Sequence, residues 1–234
     1  MKIIASNFKT NHTRKSTQEF CQALESFLSP QSIPHKITLF PPSTALLDNS
    51  FKHFSIGAQN AYFTECGSFT GEIGLEQLRE FNIQSLLIGH SDRRNILGES
   101  QEFCAQKFAY FAKQNFEIFY CIGENLETKK KGLDSILSFL ESQLQGIALN
   151  YPKLIIAYEP IWAIGSGVSA TLDEITQIHT HLKQKLDKIP LLYGGSVKPQ
   201  NAYEILNLEG VDGVLVGSAS WEMRSFCQIL ENSF

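Results

Sequence analysis

The sequence has 234 residues, 43% of them apolar and 11% aromatic, with 20 Lys and Arg against 24 Asp and Glu for a net charge of −4. Folded as one unit, a chain of this length buries roughly 70 to 75% of its extended surface, enough for one sizeable core. Disordered, collagen-like and coiled-coil classes are excluded, and no basic excess is present to recruit nucleic acid.

The amino end, Met1-Lys2-Ile3-Ile4-Ala5, offers too short an apolar run for a secretory signal. It opens a series of short β-prone runs, expected at 3–6, 37–40, 54–58, 85–88, 117–121, 154–158, 190–193 and 213–216. Most are nearly continuous apolar stretches, as in parallel strands covered on both faces. None approaches the ~18 residues of a membrane span.

Helical patterns lie between them, giving eight of each. A helix is expected even over 43–53, where the pattern is thin. Phe103, Lys107, Phe108, Phe111 and Ala112 keep a helical spacing, as do Leu133, Ile136, Leu137, Leu140 and Leu144. Thr171 and Glu174 fit a capping box, and Lys129-Lys130-Lys131 reads as a solvated helix face. Eight β-then-α units suit an open doubly wound sheet or a closed (β/α)8 barrel. The count and the usual barrel size of about 250 residues favour the barrel, as one domain over 1–234.

In such a barrel the chemistry belongs at the carboxyl ends of the strands. Asn7-Phe8-Lys9 follows the first strand, Gly89-His90-Ser91-Asp92 the fourth, Glu159-Pro160 the sixth and Gly194-Gly195-Ser196 the seventh. Each alone is an ordinary rim charge or turn. Together they bring an amine, an imidazole and a carboxylate to one mouth, a set suited to proton abstraction beside a carbonyl. Glu159 would be the base, His90 the electrophile and Lys9 the stabiliser of a developing oxyanion. Gly165-Ser166-Gly167, Gly194-Gly195-Ser196 and Gly217-Ser218 follow the last three strands, where bare backbone amides cradle phosphate.

Other motifs fail. The G-x-G-x-x-A match at 165–170 starts six residues beyond its strand, too far for a dinucleotide fingerprint. His12, His35 and His53 lack ligand-spaced partners, and His179 and His181, two apart, face different sides of a helix, so neither metal nor cofactor is expected. Cys21, Cys66, Cys104, Cys121 and Cys227 carry no C-x-x-C pair and read as buried, reduced thiols of a cytoplasmic protein.

The phrases Ala157-Tyr158-Glu159-Pro160-Ile161-Trp162 and Ile88-Gly89-His90-Ser91-Asp92-Arg93 resemble the signature stretches of the triosephosphate isomerase family, whose fold is the TIM barrel. Asn7-Phe8-Lys9, Gly57-Ala58-Gln59-Asn60, Cys121-Ile122-Gly123-Glu124 and Tyr193-Gly194-Gly195-Ser196-Val197 extend the resemblance in order along the whole chain. It implies interconversion of dihydroxyacetone phosphate and D-glyceraldehyde 3-phosphate through an enediolate, in glycolysis and gluconeogenesis. Glu159 would take the carbon-bound proton and neutral His90 would polarise the carbonyl. Lys9 and Asn7 would bind substrate oxygens, and amides at Gly165, Ser196, Gly217 and Ser218 would hold the phosphate. It further implies a lid over 160–170 and a homodimer in which loop 64–74 reaches the partner's active site, Thr70 foremost.

The chain also departs from the family pattern. Asp92 stands for the usual Glu, shortening that carboxylate's reach toward Lys9, and Ser218 stands for a Gly. Ser166 and Val168 replace a Thr and a Lys, Ser6 and Phe8 a Gly and a Trp, and the segment 168–192 is short, implying a trimmed sixth helix. A Schiff-base aldolase on the same fold would need a central Lys where strand six offers Glu159. A mere phosphosugar binder would gain nothing from that carboxylate.

Overall fold

The computed structural model describes residues 1–31, 33–164 and 169–233. Eight parallel strands, β1 (Ile3–Asn7), β2 (Lys36–Phe40), β3 (Ser55–Ile56), β4 (Ser85–Ile88), β5 (Glu117–Ile122), β6 (Leu154–Tyr158), β7 (Leu191–Tyr193) and β8 (Gly213–Val216), form one sheet. Its order is β3-β2-β1-β8-β7-β6-β5-β4. The two edges meet through Ala58, whose N–H donates to the Ser85 carbonyl and whose carbonyl accepts from Leu87 N–H, both at 2.9 Å. The expected strand 54–58 is therefore shorter as a ladder, yet its last residue closes the ring.

Strand alternation sorts the apolar residues into two cores. Ile3, Ala5, Phe40, Leu87, Phe119, Cys121, Ile155, Ala157, Leu192 and Leu215 form a cluster inside the barrel. Ile4, Leu39, Leu86, Ile118, Ile156, Val214 and their neighbours form the larger cluster between sheet and helices. Each fully buried Leu or Ile contributes roughly 1.5–3 kcal/mol by leaving water.

The surrounding helices are α1 (Arg14–Leu28), α2 (Leu75–Glu80), α3 (Ser91–Asn95), α4 (Gln101–Lys113), α5 (Leu126–Lys130), α6 (Leu133–Ser142), α7 (Leu172–Leu186), α8 (Pro199–Leu206) and α9 (Met223–Glu231). The 103–112 and 133–144 patterns become α4 and α6, and Thr171 with Glu174 makes the expected capping box of α7. Where a trimmed sixth helix is implied, α7 keeps 15 residues. The return to β7 is tight instead, with Asp187 at φ 47°.

Three further expectations fail. No α-helix forms over 43–53, so the count of eight helical intervals is wrong there. Ala45, Leu46 and Leu47 are consecutive and all buried, which no single helix face allows, and only the 3₁₀ turn Ser43–Ala45 forms before the chain extends at Leu46. Cys21, Cys104 and Cys121 are buried, but Cys66 is exposed on loop 64–74 and Cys227 is half-buried on α9. Lys129 is not simply solvated. Its Nζ lies 3.1 Å from the Trp162 ring centroid and 2.9 Å from the Glu174 carboxylate.

Candidate active site

Continuing the inward register past the strand ends places Asn7 after Ile3 and Ala5, Glu159 after Ile155 and Ala157, and Gly217 after Leu215. His90 would fall out of register. Gly89, at φ 74°, breaks the alternation, and the chain turns His90 into the mouth. Asn7, Lys9, His90, Glu159, Ser196, Gly217 and Ser218 line one pocket of about 150 Å³ at the carboxyl end of the barrel. Gly165 lies outside the described residues, as does the lid at 165–168.

Glu159 is the buried charge of this pocket, only 2% exposed. One carboxylate oxygen accepts from Ser91 N–H at 3.1 Å, and the other lies 3.1 Å from His90 Nε2. Glycines pack against both its backbone and its side chain. A Cβ at Gly123 would sit 1.9 Å from the Glu159 carbonyl oxygen, and one at Gly194 would sit 2.9 Å from Glu159 Cγ. His90 Nδ1 accepts from Asp92 N–H at 3.1 Å, at the start of α3. A ring nitrogen that accepts an amide proton carries none, so the neutral ring has its proton on Nε2, aimed at Glu159.

Lys9 occupies left-handed backbone space, at φ 51°. The strain is held from both sides: Lys9 N–H donates to Asn7 Oδ1 at 2.9 Å, and Gln59 Nε2 donates to the Lys9 carbonyl at 2.9 Å and to the Phe40 carbonyl at 2.8 Å. Despite its shorter side chain, Asp92 reaches the Lys9 ammonium at 3.1 Å.

The start of the loop after β6 is anchored separately. Pro160 leads into the 3₁₀ turn Ile161–Ala163, and Trp162 Nε1–H donates to the Glu124 carboxylate at 2.7 Å. Tyr158 OH donates to the same oxygen at 3.2 Å. Burial pushes the Glu124 carboxyl above its ordinary range, against the pull of the Trp162 and Tyr158 hydrogen bonds. Inside the barrel, burial first and the Glu159 charge second push the Cys121 thiol well up, which keeps it protonated beside the carboxylate.

The model of the triosephosphate isomerase family matches residues 2–233. The chain belongs to the triosephosphate isomerase family. It is 57% identical over 228 residues to the triosephosphate isomerase of Sulfurovum sp. (strain NBC37-1), covering 97% of this chain and 99% of that protein. It is 56% identical over 230 residues to the triosephosphate isomerase of Wolinella succinogenes, covering 98% and 99%. With the triosephosphate isomerase of Helicobacter hepaticus it shares 55% over 235 residues, the whole of both chains.

Sequence reading did not single out Trp221, which lines the same pocket, or the supporting role of Gln59. Both act through carbonyls of the β1 loop, and a hydrogen bond to a carbonyl leaves no residue-type signature on the chain that accepts it. Trp221 could have been suspected from its place three residues after Ser218.

Proposed function

We propose that the chain interconverts dihydroxyacetone phosphate and D-glyceraldehyde 3-phosphate through an enediolate, using its own side chains alone, as a glycolytic and gluconeogenic enzyme of the cytoplasm. The observation that carries this reading is the buried Glu159 carboxylate 3.1 Å from His90 Nε2, in a pocket shared with Lys9. A carboxylate within reach of a carbon-bound proton is a general base, and an imidazole with its proton on the facing nitrogen is a hydrogen-bond donor to a carbonyl oxygen.

Substrate takes the place of the contacts that Glu159 makes with Ser91 N–H and His90 Nε2. Glu159 then removes the proton from the carbon beside the carbonyl. His90 donates from Nε2 to the carbonyl oxygen and passes a proton between the two substrate oxygens. The Lys9 ammonium offsets the negative charge that develops there, and Asn7, whose Oδ1 is already occupied by Lys9 N–H, donates from Nδ2. The phosphate sits against the amides of Ser196, Gly217 and Ser218, joined by that of Gly165. By the family resemblance, the loop that starts from the anchored turn at Ile161–Ala163 would serve to exclude water and protect the enediolate from phosphate loss. The active form is a homodimer joined through loop 64–74.

A coupled assay with D-glyceraldehyde 3-phosphate, with free phosphate followed in the same mixture, tests both parts. Rapid turnover with negligible phosphate release is expected. No turnover would remove the isomerase reading, and turnover accompanied by stoichiometric phosphate release would remove the lid's protective role.

A further inference from the structure

The β1 and β8 ends of the site are fastened together by a relay that the proton-transfer chemistry does not use. Trp221 follows directly on the 3₁₀ turn Ser218–Ser220, and its indole Nε1–H donates to the carbonyl of Asn7 at 3.2 Å. The Trp221 carbonyl in turn lies 2.9 Å from His12 Nε2. A carbonyl can only accept, so Nε2 carries the ring proton and Nδ1 of the neutral ring is an acceptor. Ser16 Oγ, 3.2 Å from Nδ1, is placed to donate to it.

Ser16 is also the third helical residue of the α1 capping box with Thr13, which grounds the relay in the first turn of a 15-residue helix. The His12 ring lies 4.4 Å from that of Phe8 and 5.8 Å from that of Phe20. A second tie runs alongside, with Ser6 Oγ donating to Ser220 Oγ at 2.9 Å.

His12 adopts φ 77°, left-handed space that strains a residue with a side chain and persists only where the surroundings over-determine it. Its two ring hydrogen bonds and its aromatic contacts supply that determination. One of those hydrogen bonds ends on the carbonyl of Trp221, next to the Ser218–Ser220 turn, and the other on Ser16 of α1.

We propose that His12 and Trp221 are positioning residues that hold the phosphate-gripping turn at Gly217 and Ser218 in place against the loop bearing Asn7 and Lys9. The inference rests on the phosphate assignment made above. Because the turn would grip the phosphate equally in ground and transition states, loosening it weakens binding more than it slows chemistry.

Three variants separate this from a merely structural role. His12→Gly keeps the left-handed backbone without strain and removes the ring. Trp221→Phe keeps an aromatic ring and removes the N–H, and His12→Gln restores an amide N–H at the reach of the lost Nε2. KM for D-glyceraldehyde 3-phosphate, kcat, and the inhibition constant of inorganic phosphate are measured on each, with the urea midpoint alongside. In His12→Gly and Trp221→Phe, KM and the phosphate inhibition constant are expected to rise together by about three- to tenfold, the factor for one hydrogen bond, with kcat moving less. His12→Gln is expected to bring both back toward the wild type. Phosphate competition unmoved by either variant, whatever the urea midpoint does, would overturn the relay alone. Absence of phosphate competition in the wild type would overturn the phosphate assignment and the relay with it.

Discussion

At the scale of single residues, Glu159 is constrained in both its side chain and its backbone. Its side chain is tied to Ser91 N–H and faces His90, and Gly123 against its backbone and Gly194 against its Cγ pack so closely that neither neighbour tolerates a Cβ. The main chain cannot advance to make up for a shorter side chain. Glu159→Asp therefore draws the carboxylate back by about 1 Å, a misplacement that costs on the order of a hundredfold in turnover. Coupled-assay kinetics should show kcat falling by that factor with KM nearly constant, and near-normal kcat would remove Glu159 from the role of base. Residues of this kind were legible in the sequence as a set, because a barrel gathers an amine, an imidazole and a carboxylate from separate strand ends at one mouth, although each alone reads as a rim charge. Gln59, Glu124 and Trp221 were not, because what they do depends on which carbonyl or indole the fold brings opposite them. The Lys9–Asp92 pair shows the converse. Side-chain length alone suggested too short a reach, and the start of α3 beside the β1 loop brings the two within 3.1 Å.

At the scale of elements, periodicity located β4, β6, β8, α4 and α6 closely, since each has enough residues for its pattern to be read. It failed over 43–53, where three consecutive buried apolar residues serve a loop, and it could not show how α7 is attached to the barrel. That attachment includes His179, fully buried, with Nδ1–H donating to the Gly210 carbonyl at 3.0 Å and the ring lying 5.9 Å from Tyr158. Burial lowers its pKa from 6.5 to about 4, opposed by the Gly210 hydrogen bond and Asp212 and assisted by Lys183. Since the folded value is the lower one, the unfolded chain binds the extra proton between pH 6.5 and pH 4. The group's contribution is complete above pH 6.5 and drains away as pH falls toward 4. From pH 7.5 to pH 5 this amounts to about 2 kcal/mol of lost stability. Urea denaturation at the two pH values should show His179→Gln losing about that much less than the wild type on acidification. An identical loss in both proteins would mean that His179 is not the acid-sensitive attachment of α7.

At the scale of the whole molecule, counting eight units sufficed to favour the barrel, because eight parallel strands close into a ring whose mouth gathers the residues at every strand end. Counting says nothing about which parts of the surface meet a second chain, and here the surface itself carries the argument. Phe69 is 42% exposed at the end of loop 64–74, and Ile96 and Leu97, just beyond α3, are 76% and 63% exposed. The loop is a preformed finger. Phe69 rests on Tyr62 at 4.4 Å between ring centroids, Phe69 N–H donates to Gly67, Glu72 N–H donates to Phe69, and Leu75 N–H closes the base on Thr64. A finger that is already ordered loses little conformational freedom on docking. A receiving groove of about 150 Å³ lies between the β1 and β4 loops, lined by Lys9, Thr10, Gln59, Asp92, Arg93 and Leu97. Its occupant in a homodimer would be the partner's finger, with Thr70 at the tip, and the occupied groove would brace the strained backbone of Lys9. On this reading Phe69 is an interface anchor, and Phe69→Asp should weaken association by about thirtyfold or more, the scale of a 2 kcal/mol hot spot. Sedimentation at micromolar concentration should show the wild type at twice 26.3 kDa and the variant shifted toward 26.3 kDa, with isomerase activity falling as the dimer dissociates. A wild-type protein sedimenting only as the 26.3 kDa species with full activity would show that the finger serves no partner and that Asn7 and Gln59 of the same chain suffice to hold Lys9.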